Sequence, residues 1–245
     1  MEVLGIDIGG SGMKGAVVNV ETGKMLSERY RVSTPQPANP QNMAEALRGI
    51  VRHFGWSGRI GCGFPAAILH GVAKTAANID DSWIGTNVEK LFSKTTNCLV
   101  KVINDVDAAG LAEVHFGVGK NVRGSIIMIT LGTGIGTALF IDGMLYPNTE
   151  LGHIILNGMD AEHYTSNETR KTQNLDWDEW AQRINEYLAY MEALFWPDLI
   201  IIGGGGSKYH EHFFHKLKTQ AEIKPAHLLN EAGIIGSAFY TTVAH

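Results

Sequence analysis

Residues 3–20 read VLGIDIGGSGMKGAVVNV. An apolar segment leads into a glycine-rich turn, and a second segment with the pattern of a strand follows it. This order predicts two antiparallel strands joined by a tight turn. Gly10, Gly12 and Gly15 fit the spacing G-x-G-x-x-G, but a dinucleotide-binding fingerprint should open a helix rather than a strand. The pattern therefore disfavours a Rossmann site, and the residues around Lys14 lack the Walker A spacing.

The same arrangement recurs in residues 125–143, SIIMITLGTGIGTALFIDG, and residues 198–208, DLIIIGGGGSK, form an apolar strand that runs into a third glycine turn. Glycine accounts for 29 of the 245 residues, well above the usual ~7%. Because glycine lacks a Cβ atom, successive backbone N–H groups can curl closely around an anion. Three glycine clusters at the ends of apolar strands indicate phosphate binding rather than three ordinary tight turns.

The remaining sequence alternates strand and helix patterns. Asp176 and Glu179 form a capping box at the start of a helix whose apolar stripe, from Trp177 through Trp180 to Leu194 and Phe195, predicts a buried face. A polar loop is expected over residues 158–174. Further strands are predicted at residues 25–32, 59–66 and 98–104, and further helices at residues 40–54, 107–117 and 232–244.

Composition excludes several classes of protein. Hydrophobic residues make up 44% and charged residues 18% of the chain, which excludes disorder. The net charge of -5 argues against nucleic-acid or polybasic membrane binding. The two cysteines, Cys62 and Cys98, exclude a disulfide scaffold. The N-terminus lacks the features of a signal peptide, and no apolar run is long enough to span a membrane, so a soluble cytoplasmic protein is expected.

Several strings together resemble one known family. Residues 7–14, DIGGSGMK, and residues 131–136, LGTGIG, look like the two phosphate motifs of sugar kinases in the actin/hexokinase/heat-shock-ATPase superfamily, and residues 203–207 look like its adenosine motif. The strings NDVDAAGLAE (104–113), PNTELGH (147–153) and DAE (160–162) are similar to the ROK family (repressors, open reading frames, kinases), specifically to its polyphosphate glucokinase branch. The resemblance extends from Gly5 to Gly236.

This resemblance implies an α/β fold of the ribonuclease-H-like type, with two lobes and a central cleft. The small lobe would comprise residues 1–108 with a returning C-terminal helix in residues 231–245, and the large lobe residues 109–230. The implied activity is transfer of a phosphoryl group from polyphosphate, ATP or both to the 6-hydroxyl of glucose. A kinase for another hexose or an N-acylhexosamine, and a sugar-sensing protein without catalysis, remain as alternatives. An actin-like ATPase is disfavoured by the ELGH string and the small size.

Asp105 is the candidate catalytic base, because a positioned carboxylate beside the sugar hydroxyl assists phosphoryl transfer. Its position between an apolar strand and a helix equally suits a helix N-cap, and the ELGH string favours the catalytic role. By resemblance, the hexose-binding residues are Gly63, Asn78, Asn104, Glu150, His153 and Glu162. The donor-binding residues are Gly9, Gly10, Ser11, Gly12, Lys14, Gly132, Thr133, Gly134, Gly204 and Gly205.

Asp7 resembles the carboxylate on the Mg²⁺ side of the site, acting through water, although a strand-end Asp bonded to backbone would look the same. Most ROK proteins carry a cysteine-rich zinc motif after the ELGH histidine. This chain has no cysteine there, so no structural zinc is expected. The chain starts at its first strand, so it is expected to lack the DNA-binding segment of ROK regulators. A homodimer is expected by family. Lys14, Lys120, Arg123 and Lys208 lie near the glycine turns in sequence and are candidate contacts for polyphosphate.

Overall fold

A computed structural model describes residues 1–77 and 79–243 of the chain. The chain divides into two compact units. Unit 1 comprises Met1–Ala112 with Asn230–His245, and unit 2 comprises Glu113–Leu229.

Both units combine strands with helices. The strands are β1 (Glu2–Gly9), β2 (Gly12–Asn19), β3 (Lys24–Met25), β4 (Tyr30–Ser33), β5 (Ile60–Phe64), β6 (Ile68–Leu69), β7 (Val72–Ala73), β8 (Val100–Asn104), β9 (Ser125–Leu131), β10 (Ile135–Ile141), β11 (Met144–Tyr146), β12 (Ile155–Leu156), β13 (Met159–Asp160), β14 (Leu199–Gly203) and β15 (Glu222–Pro225). The α-helices are α1 (Pro40–His53), α2 (Val88–Thr96), α3 (Asp105–Phe116), α4 (Ala161–Thr165), α5 (Asn167–Thr172), α6 (Trp177–Phe195), α7 (Gly204–Ser207) and α8 (Ala232–Val243).

Unit 1 is built on a mixed sheet with strand order β3-β2-β1-β5-β8, and β4 also pairs with β2. Strands β1 and β2 form the predicted antiparallel hairpin, whereas β1, β5 and β8 run parallel. Helices α1 and α2 bury their apolar residues in a core shared with these strands, including Leu47, Ile50 and Phe92. Helix α8 packs directly on the sheet, because a Cβ on Gly61 would lie 1.7 Å from the carbonyl oxygen of Ser237.

Unit 2 is built on a second mixed sheet, with strand order β11-β10-β9-β14-β15. Strands β9 and β10 form the second predicted hairpin, and β14 runs parallel to β9 and β15. Helix α6 begins with the predicted capping box: the Asp176 carboxylate accepts the N–H of Glu179 at 2.8 Å, and Glu179 returns the bond to the N–H of Asp176 at 3.1 Å. Trp180, Ile184 and Leu188 of this helix are fully buried against the sheet.

Three sequence expectations are wrong. The strand predicted for residues 25–32 is divided into β3 and β4, because the Ser27 hydroxyl accepts the N–H of Val17 in place of a strand carbonyl. The segment 158–174 is not a loop but contains β13, α4 and α5. Leu194, placed in the buried stripe of α6, is 60% exposed. Among the described residues, no helix is long and apolar enough to cross a membrane.

Candidate active site

The first glycine turn connects β1 to β2 in unit 1. Gly9 pairs with Gly12 in the antiparallel register, so Gly10 and Ser11 form a two-residue, exposed turn. The Thr34 hydroxyl donates to the carbonyl oxygen of Gly9 at 2.6 Å and so ties the turn to the end of β4. The predicted donor-binding residues 9–12 and Lys14 therefore all belong to one hairpin.

Two cations accompany this turn. Lys14 pairs with Asp7 across the hairpin, and its ammonium Nζ lies 3.0 Å from the Asp7 carboxylate. Arg31, which the sequence analysis missed, donates from Nη2 to the carbonyl oxygen of Ser11 at 3.0 Å. Its guanidinium covers Gly12, where a Cβ would lie 2.7 Å from Nε and Nη2. Arg31 comes to the turn because β4 pairs with β2 and sets Arg31 opposite Lys14. The separation of 17 positions offers no local sequence signal for this pairing.

Asn104 and Asp105 stand where β8 meets α3. The Asn104 side-chain oxygen accepts the N–H of Val106 at 2.8 Å and of Asp107 at 3.1 Å, and its Nδ2 donates to the carbonyl oxygen of Ala66 at 3.2 Å. Asn104, not Asp105, therefore caps α3, which removes the simplest structural explanation for Asp105. The Asp105 carboxylate is half-buried, and its Oδ1 accepts the N–H of Val106 at 3.0 Å. This bond holds the carboxylate at the start of the helix.

Gly63, predicted to contact the hexose, lies on β5 beneath this helix start. A Cβ there would be 2.9 Å from the Ser237 hydroxyl and 3.5 Å from Cα of Asp105. Gly63 therefore leaves room for the Ser237 hydroxyl of α8, whereas its distance to α3 would be an ordinary van der Waals contact. Asn78, the other predicted hexose contact in this part of the chain, lies outside the described residues.

The second and third glycine turns lie side by side in unit 2. Gly132, Thr133 and Gly134 join β9 to β10, and Gly204 begins α7 where the neighbouring parallel strand β14 ends. Gly204 has φ +79°, and a Cβ there would lie 2.8 Å from the backbone of Leu131, so this position requires glycine. The sheet thus gathers two predicted donor-binding segments at one edge.

Glu150 precedes a short 3₁₀ turn, Leu151–His153, and His153 is the last residue of that turn. The turn sits directly on β10, because a Cβ on Gly152 would lie 2.2 Å from the carbonyl oxygen of Ile135. The Thr137 hydroxyl, also on β10, accepts the N–H of Leu151 at 3.2 Å. The glycine of the ELGH string therefore allows the close approach that places Glu150 and His153 beside the second glycine turn.

Glu162 reaches the same place from α4. Its Oε2 lies 3.4 Å from the N–H nitrogen of Ile135 and 2.2 Å from where a Cβ on Gly134 would be. Its Oε1 lies 3.9 Å from Nδ1 of His153. The structure therefore brings the predicted hexose residues His153 and Glu162 together and sets Glu162 against the predicted phosphate turn.

Asp160 also joins this cluster and was missed as a site residue. Its Oδ2 lies 3.0 Å from Nδ1 of His153. The dipeptide Asn157-Gly158, with φ +52° and +81°, forms the two-residue turn between β12 and β13 and brings Asp160 back beside Ile155. Asn-Gly is the strongest local signal for such a hairpin, so the sequence carried the information.

The ionisable groups influence one another. Glu150 is exposed as a residue, but partial burial of its carboxylate raises its pKa above the usual range. The nearby His153 opposes this rise, and the charge of Glu162 adds to it. The pKa of His153 is also raised, chiefly by its hydrogen bond to Asp160, against the effect of burial and with help from the carboxylates of Glu162 and Glu150. The carboxylates of Glu150, Asp160 and Glu162 are hydrogen-bond acceptors, which suits the binding of a ligand that carries hydroxyl groups.

His153, Asp160 and Glu162 each offer one ligand atom, and these atoms lie within 4.8 Å of one another, a spacing that a divalent cation could bridge. Exposed acidic residues commonly lie this close without an ion.

The two cysteines do not belong to this cluster. Cys62 and Cys98 are both buried, and both are in unit 1.

Comparison with known proteins gives consistent results. The ROK family model matches residues 3–173. The chain is 41% identical over 235 residues to polyphosphate glucokinase of Mycobacterium tuberculosis, covering 96% of this chain and 89% of the relative. It is 41% identical over 239 residues to polyphosphate glucokinase of Mycobacterium leprae, covering 97% of this chain and 74% of the relative.

Solved structures agree with this result. The inorganic polyphosphate/ATP-glucomannokinase of Arthrobacter sp. strain KM has a TM-score of 0.94 and 44% identity, covering 100% of this chain and 99% of the other. A ROK family glucokinase of Streptomyces griseus shares the fold, with a TM-score of 0.81 at 24% identity over 97% and 98% of the two chains. The α/β fold of the actin/hexokinase type is thereby confirmed. This chain is a member of the ROK family.

Proposed function

We propose that the protein is a glucokinase that transfers a phosphoryl group from polyphosphate, ATP or both to the 6-hydroxyl of glucose. The similarity of nearly the whole chain to two proteins named polyphosphate glucokinase supports this assignment. The similarity to a polyphosphate/ATP-glucomannokinase supports the use of both donors.

One geometric observation carries the proposal. The Glu162 carboxylate lies against Gly134, and the His153 imidazole stands beside Glu162. A group suited to sugar hydroxyls therefore adjoins a backbone turn suited to phosphate within the same unit. Phosphoryl transfer to a sugar requires that proximity, because catalysis is mostly positioning and neutralisation of charge.

The roles follow from the chemistry of the side chains. Asp105 accepts the proton of the 6-hydroxyl while the oxygen of that hydroxyl forms a bond to the terminal phosphorus of the donor. The bond between this phosphorus and the donor's bridging oxygen breaks at the same time. Glu150, His153 and Glu162 take up other hydroxyls of the hexose. Asn104 has fewer hydrogen-bonding groups left for the hexose than expected, because its side-chain oxygen already caps α3.

The donor phosphates are assigned to the glycine turns. Backbone N–H groups of residues 9–12, 132–134 and 204–205 would contact the phosphate oxygens, and Lys14 and Arg31 would neutralise their charge. Asp7 suits Mg²⁺, because it offers a half-buried carboxylate at the base of the first turn, and Mg²⁺ commonly takes one or two carboxylates with phosphate and water. When bound, Mg²⁺ supplies neutralisation of the charge on the phosphates.

Mannose is a second candidate acceptor, because the polyphosphate/ATP-glucomannokinase is 44% identical to this chain. Phosphorylation of an N-acylhexosamine and sugar sensing without catalysis remain the weaker alternatives. We further propose two functional lobes, residues 1–108 with 231–245 and residues 109–230, a homodimeric state and a cytoplasmic location.

A donor panel crossed with a hexose panel tests the proposal. ATP, short polyphosphate and long polyphosphate would each be combined with glucose, mannose and N-acetylglucosamine, with sugar phosphate measured by mass spectrometry. We expect glucose 6-phosphate from polyphosphate. Glucose binding with no product from any donor would establish the sensing alternative instead, and product from N-acetylglucosamine alone would reassign the acceptor. Light scattering would test the homodimer.

A further inference from the structure

Asp160 stands at a helix start but does not cap the helix. It is the residue before α4, with non-helical backbone angles of φ −57° and ψ 134°, and its side chain makes no capping hydrogen bond. Asp at this position ordinarily accepts the N–H of the second or third helical residue, a bond worth about 1 kcal/mol. The Asp160 carboxylate instead lies 3.0 Å from Nδ1 of His153.

The local fold sets this pair. The β12–β13 hairpin places Asp160 opposite Ile155, two residues beyond His153. The N–H of Ala161 donates to the carbonyl oxygen of Ile154 at 2.9 Å and fixes the backbone beside the pair. His153 is itself held by the 3₁₀ turn that packs on β10. Both partners are thus positioned by hydrogen-bonded backbone rather than by a flexible loop.

The contact determines which nitrogen of the ring carries the proton. A carboxylate only accepts hydrogen bonds, so Nδ1 must donate. In the neutral imidazole the proton then resides on Nδ1, and Nε2 is left as an acceptor. An Nε2 acceptor suits a sugar hydroxyl, which donates its proton in a hydrogen bond.

We propose that Asp160 is a positioning residue that holds His153 in the Nδ1–H tautomer and so presents Nε2 as an acceptor to a hydroxyl of the hexose. This inference rests on the proposed function for its ligand, but the tautomer is a property of the free protein. The side chains of His153, Asp160 and Glu162 are 50%, 35% and 24% exposed, so the imidazole is accessible to a ligand while the carboxylates are partly covered.

Two variants separate positioning from helix capping. Asp160→Ser keeps a residue that caps helices well but removes the carboxylate. Asp160→Asn keeps the shape but removes the charge. Glu211→Gln is the matched control, because it neutralises an exposed carboxylate of unit 2 on a different element, the 3₁₀ turn His210–His212. Thermal unfolding of each variant verifies that it is folded.

Nitrogen-15 NMR of the imidazoles gives the first measurement, with His153→Gln used to assign the signals. At a pH where His153 is neutral, we expect Nδ1 to carry the proton in the wild type and in Glu211→Gln. We expect the proton to shift toward Nε2 in Asp160→Ser and to be shared between the nitrogens in Asp160→Asn. A wild-type His153 with its proton on Nε2 overturns the proposal, whether or not the protein phosphorylates glucose.

Kinetics give the second measurement. Loss of the hydrogen-bonding partner of a metal-ligating histidine typically costs about 10–100-fold in affinity or activity. By analogy with that effect, we expect kcat/KM for glucose to fall about 10-fold in Asp160→Ser. We expect KM for the phosphoryl donor to stay unchanged. Wild-type kinetics in Asp160→Ser would show that the carboxylate has no positioning role. A stoichiometric metal ion bound by the wild type and lost in Asp160→Ser would also overturn the proposal, because Nδ1 would then bind the ion.

Discussion

At the scale of single residues, Asp105 is the most consequential assignment. Asn104 takes the capping role at α3, so the Asp105 carboxylate is not needed to start the helix. We predict that Asp105→Asn lowers kcat by roughly 10²-fold or more, since a positioned base contributes about 10²–10⁴-fold, while glucose still binds. Coupled kinetics and calorimetric titration with glucose measure the two effects separately.

Asp81→Asn is the matched control for this variant, because Asp81 is an exposed carboxylate of the same unit. We expect its kcat to equal that of the wild type. Asp105→Asn with turnover close to the wild type would remove Asp105 from the mechanism. Equal losses in both variants would point to a general effect of charge.

Glu150 gives a prediction about pH. Burial raises its pKa, so Glu150 gains a proton, and loses an acceptor for the hexose, at a higher pH than an ordinary glutamate. Glu150→Gln resembles the protonated form at every pH. We therefore expect the ratio of wild-type to Glu150→Gln kcat/KM for glucose to be large at neutral pH and to fall toward one on acidification. Its midpoint should lie above the usual glutamate pKa of about 4.3.

This ratio is informative because groups that do not interact with Glu150 titrate alike in both proteins and cancel, whereas the pKa of His153 is lower once the Glu150 charge is removed. Steady-state kinetics at several pH values give the midpoint directly. A ratio that stays constant as the pH falls to about 4.3, the ordinary glutamate pKa, contradicts a raised pKa for Glu150.

At the scale of elements, the turn Leu151–His153 depends on its contact with β10. A Cβ on Gly152 would lie 2.2 Å from the carbonyl oxygen of Ile135, so Gly152→Ala must displace the turn. Forcing extra atoms into a packed position costs about 1–3 kcal/mol. We predict that KM for glucose rises by about 10-fold or more, because Glu150 and His153 move with the turn, while KM for the donor changes less.

Gly49→Ala is the control for this change, because no atom lies within 4 Å of where its Cβ would be. We expect Gly49→Ala to retain wild-type kinetics and to gain slightly in stability, since alanine is preferred over glycine inside a helix. If Gly152→Ala kept the wild-type KM for glucose, the ELGH turn would not hold the hexose.

Elements also show where sequence reasoning succeeds and fails. The glycine hairpins and the capping box of α6 follow from short-range patterns, and both are present. Helices α4 and α5 have five and six residues, too short for an apolar period. Their buried residues include Thr165, Asn167 and Thr169, whose polar composition suggested a loop. A local hydrogen bond marks the start of α5: the Ser166 hydroxyl accepts the N–H of Thr169 at 3.2 Å.

The sequence predicts those site residues that lie in recognisable short motifs better than those that strand pairing brings to the site. His153 and Glu162 were identified through a resemblance to family motifs, and the structure brings them together. Asp160 required recognition of the Asn157-Gly158 hairpin, a signal that was present but not used. Arg31 reaches the first glycine turn only because β4 pairs with β2, and nothing local specifies that register.

At the scale of the whole molecule, the net charge is -5, so the average field of the protein repels a polyanion. Binding of polyphosphate must then depend on local cations, and dissolved salt weakens such contacts by screening over about 10 Å at 0.1 M. We predict that kcat/KM for long polyphosphate falls by about 10-fold or more between ~50 and ~200 mM salt, by analogy with single-stranded nucleic acids. Rates measured with ATP at the same salt concentrations should fall less.

A variant of Arg31 tests whether the salt dependence comes from a contact at the first glycine turn. Arg31→Gln removes the guanidinium that covers Gly12, whereas Arg48→Gln removes an exposed charge on α1 that is paired with Glu45. Both variants change the net charge equally, so an effect of the average field would be the same in both. A direct contact predicts that only Arg31→Gln raises KM for polyphosphate and lowers the slope of log kcat/KM against log salt by about one. If kcat/KM of the wild type for polyphosphate did not change with salt concentration, Arg31→Gln would have no slope to lower. That result would refute the binding of polyphosphate by local cations.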